Sequence, residues 1–264
     1  NPGGFDAVLL DVDNGPSAFT ASSNARLYDN EGVAVARDAL KAGKTTAIVS
    51  TGGIEPNGPW LVTGKHNYVL HANCEAIARK LGDALCAPIV KFVPEGGIDP
   101  PGGHMQYPGT ISLPDDVFIK VTEYAARSFR ANGFKNIVLI GDSGENQKGL
   151  QSAASSLNKE WSKTNVRVHF VSEYYKDSPF REWLQGQGEK REDIGTHAGI
   201  VDTSQLMAVN PKGIRSDKLA AGGDRNVTGV TGNPARASVA YGKKGLEMKV
   251  EAAVAQIRTL IAAK

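Results

Sequence analysis

Thr51-Gly-Gly-Ile-Glu-Pro-Asn-Gly-Pro-Trp-Leu-Val-Thr-Gly-Lys-His66 follows the apolar run Thr45-Thr-Ala-Ile-Val-Ser50 and leads into a helix-like segment from Asn67 to about Leu81. Four glycines and two prolines in sixteen residues mark a constrained loop between a strand and a helix. Glu55, Asn57 and His66 are polar groups that a purely structural loop does not need. Open α/β sheets bind their ligands outside the carboxyl ends of their strands, so this loop is the first place to expect an active site.

The same strand, loop, helix pattern extends in both directions. Upstream, Phe5–Val12 reads as a strand turning at Asn14-Gly-Pro, Asp13–Asp29 as a polar loop, and Val33–Ala42 as a helix. Downstream come a strand over Leu85–Val93, a Gly/Pro-rich loop from Pro94 to Pro114, and an amphipathic helix over Asp115–Asn132 closed by Gly133. A strand at Asn136–Ile140 precedes a helix at Glu145–Trp161, and a further strand covers Val166–Val171. A short helix is expected at Ser204–Val209 and a long one from Arg236 to Ala262. Alternating strands and helices predict an α/β fold with a mostly parallel sheet covered on both faces. No internal repeat or low-complexity linker interrupts the 264 residues, which predicts a single domain with an irregular segment over residues 1–32.

Composition excludes several partners. With 30 basic and 28 acidic residues, the net charge of +2 calls for no nucleic acid or acidic surface as partner, and none is expected. No apolar run approaches the roughly 20 residues of a membrane span. Cys74 falls in a predicted helix and Cys86 in a predicted strand, and both are read as buried small apolar residues rather than as a disulfide. The chain starts at Asn1 without a methionine, which fits a processed, exported protein (periplasmic or secreted) or a trimmed cytoplasmic one.

Three loops follow strands: Thr51–His66, Gly96–Thr110 and Gly141-Asp-Ser-Gly-Glu-Asn146. A parallel sheet brings such loops to one edge, where Glu55, His66, His104, Asp142, Ser143 and Glu145 share a cleft. Gly195-Thr-His-Ala-Gly-Ile-Val-Asp-Thr-Ser204 adds His197 and Asp202. Carboxylates and imidazoles together suit a divalent metal with an open position for water. Each residue also has a plainer reading. Glu55 caps a turn, His66 packs at a helix start, His104 holds its long loop, and Glu145 offsets a helix dipole. His71 and His169 are read as structural. Ser143 at a strand-to-helix turn, with His197 as base and Asp202 or Asp142 as orienting acid, is the alternative nucleophilic arrangement.

The residues resemble the creatininase (creatinine amidohydrolase) family. Glu55-Pro-Asn-Gly-Pro-Trp-Leu-Val-Thr-Gly-Lys-His66 is similar to its motif E-Q-H-G-P-H-L-P-L-G-T-D. His104-Met-Gln-Tyr-Pro-Gly-Thr-Ile-Ser-Leu113 resembles its H-x-x-F-P-G-T-x-S-L segment, Gly141-Asp-Ser-Gly-Glu-Asn146 its N-G-H-x-x-N loop, and His197-Ala-Gly-Ile-Val-Asp-Thr-Ser204 its H-A-G-x-x-E-T-S. The resemblance implies a three-layer α/β/α sandwich, often a homohexamer, that hydrolyses amide C–N bonds of small molecules with two divalent metals. It places the ligand positions at Glu55, Asn57, His66, Ser143 and Glu145, of which only Glu55 and Glu145 keep the family's residue type.

The expectation is therefore a divergent metal-dependent hydrolase of an amide, lactam or related ring, acting through metal-activated water. One zinc or manganese ion per subunit would be held by Glu55, His66 and Glu145, with catalytic roles for His197, Asp142 and Ser143. Asn57, Trp60 and His104 would line the substrate site. A serine hydrolase and a non-catalytic binding protein are the alternatives.

Overall fold

The computed structural model describes residues 38–220 and 228–263. The strand expected over Phe5–Val12 and the irregular segment 1–32 lie outside that range. Of the helix expected over 33–42, residues 38–42 are described: 38–41 are helical and 42 is in a turn.

Among the described residues, four strands form one parallel sheet: β1 (Thr46–Thr51), β2 (Ala84–Cys86), β3 (Asn136–Gly141) and β4 (Arg167–Phe170), in the order β2-β1-β3-β4. The register pairs Thr46 with Asn136 and runs to Thr51 opposite Gly141. The chain leaves β1 toward one edge of the sheet and returns at β3 toward the other. The crevice between the carboxyl ends of β1 and β3 is thus a switch point of the kind where α/β sheets bind ligands.

Alternation along the strands builds three layers. Ile48, Val138 and Ile140 face one side, where Leu70, Cys74 and Ile77 of α1 (Lys65–Leu81) meet Val250, Val254 and Ile257 of α7 (Val239–Ala262). Val49, Ile137 and Leu139 face the other side, against Phe118 and Ala126 of α2 (Asp115–Ala131) and Leu150 and Leu157 of α3 (Asn146–Glu160). Burial of apolar side chains on both faces is what a parallel sheet requires. Three further helices, α4 (Ser178–Gly186), α5 (Arg191–Ile194) and α6 (Ile200–Val209), pack around the carboxyl edge. Among the described residues no helix is long and apolar enough to cross a membrane.

Several expectations shift. The strand expected to reach Val93 stops at Cys86, because Pro88 has no N–H to give the ladder. Only single bridges, Thr51 with Val90 and Val93 with Ser112, continue it. Helix α1 starts at Lys65, which puts Lys65 and His66 in its first turn rather than in the loop.

The two cysteines are not free thiols: Cys74 and Cys86 are joined in a disulfide, with Cα atoms 6.0 Å apart. Gly82, at φ 84°, ends α1 in the left-handed conformation and sends the chain straight into β2. That short return lays the middle of the helix over the strand, within bridging distance. His71 and His169 lie on α1 and β4, and His169 pairs with Asn136 at 3.2 Å.

Candidate active site

The backbone of the two central loops is tied together before any chemistry is placed. Asn146, at the start of α3, donates its amide to the carbonyl of Thr51, to the Thr51 hydroxyl and to the carbonyl of Gly52 at 2.9–3.0 Å. Asn57 is a staple of the same kind. Its buried amide donates to the carbonyl of Glu55 at 3.1 Å and holds the loop that presents Glu55. Trp60 lies in an apolar cluster with Leu61, Leu206, Ile214 and Val230, and its indole N–H donates to the carbonyl of Lys218. Neither Asn57 nor Trp60 lines the cavity.

A cavity of about 260 Å³ opens at the switch point. At its floor the Glu55 carboxylate is 3% exposed. Its Oε1 accepts from Lys65 Nζ at 2.5 Å and lies 2.9 Å from His66 Nε2 and 3.4 Å from His197 Nδ1. Its Oε2 lies 3.4 Å from His104 Nδ1. His66 Nδ1 is 2.8 Å from Asp142 Oδ2, and the other oxygen of Asp142 accepts from Lys249 of α7.

Electrostatics follow from burial and pairing. Burial alone raises the Glu55 carboxyl, but the cations of Lys65 and His66 outweigh it and hold the group well below the usual range. Burial and Lys65 depress His66, yet Glu55 and Asp142 win and bring it up to about 9. Burial raises Asp142, while Lys249 and His66 bring it down to about 2. Lys65 itself is raised: burial works against its charge, but Asp202 and Glu55 hold it as an ammonium. Lys65 and His66 sit at the positive end of α1, where the helix dipole disfavours cations. The surrounding carboxylates offset that cost.

His104 stands on a short 3-10 turn, Gly103–Gln106, and its Nδ1 is 2.8 Å from Glu95 Oε2. Glu95 is fully enclosed, its Oε1 has no partner, and burial raises its carboxyl. His197 arrives on a strained turn. It and Ala198 both have positive φ, 51° and 70°, which costs a non-glycine residue roughly 1–2 kcal/mol. Asp202 on α6 accepts from the Ala198 N–H at 3.1 Å, and Thr203 donates to the Ala198 carbonyl, so the turn is held from the helix that follows it. The rings of His104 and His197 meet edge to face with centroids 4.6 Å apart.

Glu55, His104 and His197 each offer a ligand atom, and these atoms lie within 4.8 Å of one another. Two imidazoles and a carboxylate are a donor set for zinc or manganese, and a carboxylate fixing one imidazole is the usual support for such a ligand. Of the ligands expected from the sequence, Glu55 is in this group. His66 is beside it, with both ring nitrogens facing carboxylates. Glu145 is exposed on the cavity wall, one residue before α3, and makes no side-chain capping bond. Ser143 is buried in the wall, and the His197 ring nitrogen bonds Glu55 rather than Ser143.

Lys65, Glu95 and Lys249 were not among the site residues expected from sequence. Glu95 follows a strand-like run and opens a Gly/Pro-rich loop, a position that carries a readable signal. Lys249 lies mid-helix and nothing in its sequence surroundings marks it.

The family profile described as "Creatininase: Creatinine amidohydrolase" matches residues 34–257. A 3-dehydro-scyllo-inosose hydrolase from Thermotoga maritima is 24% identical over 175 residues, 62% of this chain and 50% of that protein. The chain thus matches about half the length of this curated relative. A mutant creatininase complexed with creatine superposes with a TM-score of 0.71 at 20% identity, covering 85% of this chain and 95% of the other. A manganese creatininase gives 0.70 at 19% identity, covering 87% and 96%.

Proposed function

The chain belongs to the creatininase family of metal-dependent amidohydrolases, and from that membership we propose that it hydrolyses a small cyclic carbonyl compound. The bond cleaved is an amide, lactam or related ring bond, and one zinc or manganese ion per chain takes part. The observation that carries this reading is the convergence of Glu55, His104 and His197 at the floor of the cavity.

Glu55, His104 and His197 would hold the ion, which supplies Lewis acidity toward a carbonyl and an activated water. Glu95 orients the His104 ring through Nδ1. His66, fixed between Glu55 and Asp142, holds a proton at Nε2 beside the ligand group. Lys249 keeps Asp142 ionised and so keeps the His66 ring in place. The strained turn at His197 is fastened at both ends, to Thr231 by paired backbone bonds and to Asp202. That fastening limits the reorganisation needed when a ligand binds.

The serine reading has less support, since His197 does not bond Ser143. Two further expectations extend the proposal. The buried Cys74–Cys86 disulfide supports residence in an oxidising compartment, as expected of an exported protein. Val117, Val121 and Tyr124, exposed along one face of α2, support self-association into a homo-oligomer.

The test is metal content and turnover together. Protein loaded with manganese or zinc should retain the metal after dialysis and hydrolyse a panel of lactams, cyclic ureides and lactones. Glu55→Ala should lose both metal and turnover, while Ser143→Ala should keep both. Turnover by fully stripped protein, abolished in Ser143→Ala, would overturn the metal reading in favour of the serine one.

A further inference from the structure

Lys65 Nζ is enclosed by atoms of the kind that bind metals. It lies 2.5 Å from Glu55 Oε1, 2.8 Å from His66 Nε2 and 3.7 Å from Asp202 Oδ1. The lysine is among the largest fully buried side chains of the protein. The carboxylates of Glu55 and Asp202 are oxygen donors of the kind a hard cation takes, and an ammonium stands beside both. The Glu55 carboxylate meets both the ammonium and the two imidazoles: its Oε2 faces His104, while its Oε1 faces Lys65 and, at 3.4 Å, His197.

We propose that the Lys65 ammonium is a built-in organic cation that fills a second cation position and so restricts this chain to one metal ion. The inference rests on the metal reading given above and adds the cause of its one-ion stoichiometry. Space and charge act together. A divalent ion in contact with Glu55 Oε1 and Asp202 Oδ1 would overlap the ammonium, and two unscreened positive centres so close in a buried site repel strongly. Because Lys65 occupies the first turn of α1, the side chain reaches this position from a rigid element, against the dipole of its own helix. A lysine there without a partner would be costly, and Glu55 and Asp202 supply the partners.

The ammonium also changes what the site can do with substrate. It presents a fixed positive charge beside the Glu55, His104 and His197 group, suited to an oxyanion or carboxylate that forms as a carbonyl is attacked.

The deciding measurement is the number of manganese ions bound per chain. It is taken by elemental analysis after equilibrium dialysis, with the electron paramagnetic resonance spectrum of the same samples. The wild-type protein should bind one ion per chain, with the resolved six-line pattern of isolated manganese. Lys65→Arg should also bind one. Lys65→Ala, checked for folding by circular dichroism, should bind a second ion and show the broadened spectrum of a coupled pair. Two ions in the wild-type protein would overturn this inference and the one-ion count, and leave the metal dependence of the reaction intact. No ion at all would overturn both. One ion in a folded Lys65→Ala would show that the ammonium is not what excludes the second. Should Lys65→Ala fail to fold, the wild-type count decides between one ion, which supports the proposal, and two, which overturns it.

Discussion

Lys65 Nζ and Glu55 Oε1 are 2.5 Å apart, and both side chains are almost entirely withdrawn from solvent. A charge pair in this setting is costly to break from one side. Glu55→Ala should therefore destabilise the fold by about 3–5 kcal/mol, because it leaves the ammonium buried without its nearest counter-charge. The double variant Glu55→Ala/Lys65→Met should recover most of that loss. Urea unfolding of the four proteins of the cycle gives the coupling, and strictly additive effects would show that the pair is not a unit.

Glu95 touches the ligand group only through His104 Nδ1. Glu95→Gln should weaken manganese binding by about 10–100-fold while leaving the number of ions unchanged. Competition with a chelator of known affinity measures this. An unaltered affinity in Glu95→Gln would remove Glu95 from its supporting role.

The Cys74–Cys86 bridge closes a short loop, with a sequence separation of 12. Loop-closure entropy for that length corresponds to about 3 kcal/mol. Cys74→Ala/Cys86→Ala should lose about that much on denaturation, with metal stoichiometry preserved, since neither cysteine lines the cavity. A loss of metal binding in the folded double variant would mean that the bridge also shapes the site.

Acid sensitivity has an identifiable surface contributor. Arg127 of α2 grips both oxygens of Glu160 at the end of α3, at 2.5 and 2.6 Å. Those bonds lower the Glu160 carboxyl from 4.5 to about 2. The folded value lies below the unfolded one. The stabilisation is therefore fully present above pH 4.5 and is lost as pH falls toward 2. The melting temperatures of wild type and Glu160→Gln should thus differ at neutral pH and converge across that window. Added salt should shrink the neutral difference, because the pair is exposed.

Much of the fold could be read from the chain because strands and helices alternate with clear periods. The strands around Ala47–Ser50 and Asn136–Ile140 carry the apolar residues of a two-sided parallel sheet. The loop after β1 was recognisable from its glycines and prolines, and Glu55 from its place in that loop. What could not be read depends on three-dimensional approach. The disulfide forms because α1 doubles back onto β2, a geometry that two cysteines twelve residues apart do not announce. The resemblance pointed to His66 and Glu145 as ligands beside Glu55. In the structure His66 is indeed beside Glu55, and two further imidazoles, those of His104 and His197, reach it from loops distant in sequence. Lys65 carries no signal in the sequence because a lysine next to a loop is normally solvated, and only the helix starting two residues early turns it inward. The helices over 178–186 and 191–194 lack long periodic stretches, so their place around the cavity was invisible as well.

The contacts of the cavity floor span most of the chain. Glu55 and His197 are 142 residues apart, and Asp142 meets a lysine 107 residues further on, in the terminal helix. No contiguous stretch of the polypeptide contains the whole constellation. Loops of this size close late in folding, when the entropy of bringing distant segments together has been overcome. A partly folded chain thus has neither the trio of Glu55, His104 and His197 nor the enclosed ammonium. Competence for chemistry becomes a report on completed folding, and a nascent chain has little means of trapping a stray transition metal before its walls are in place.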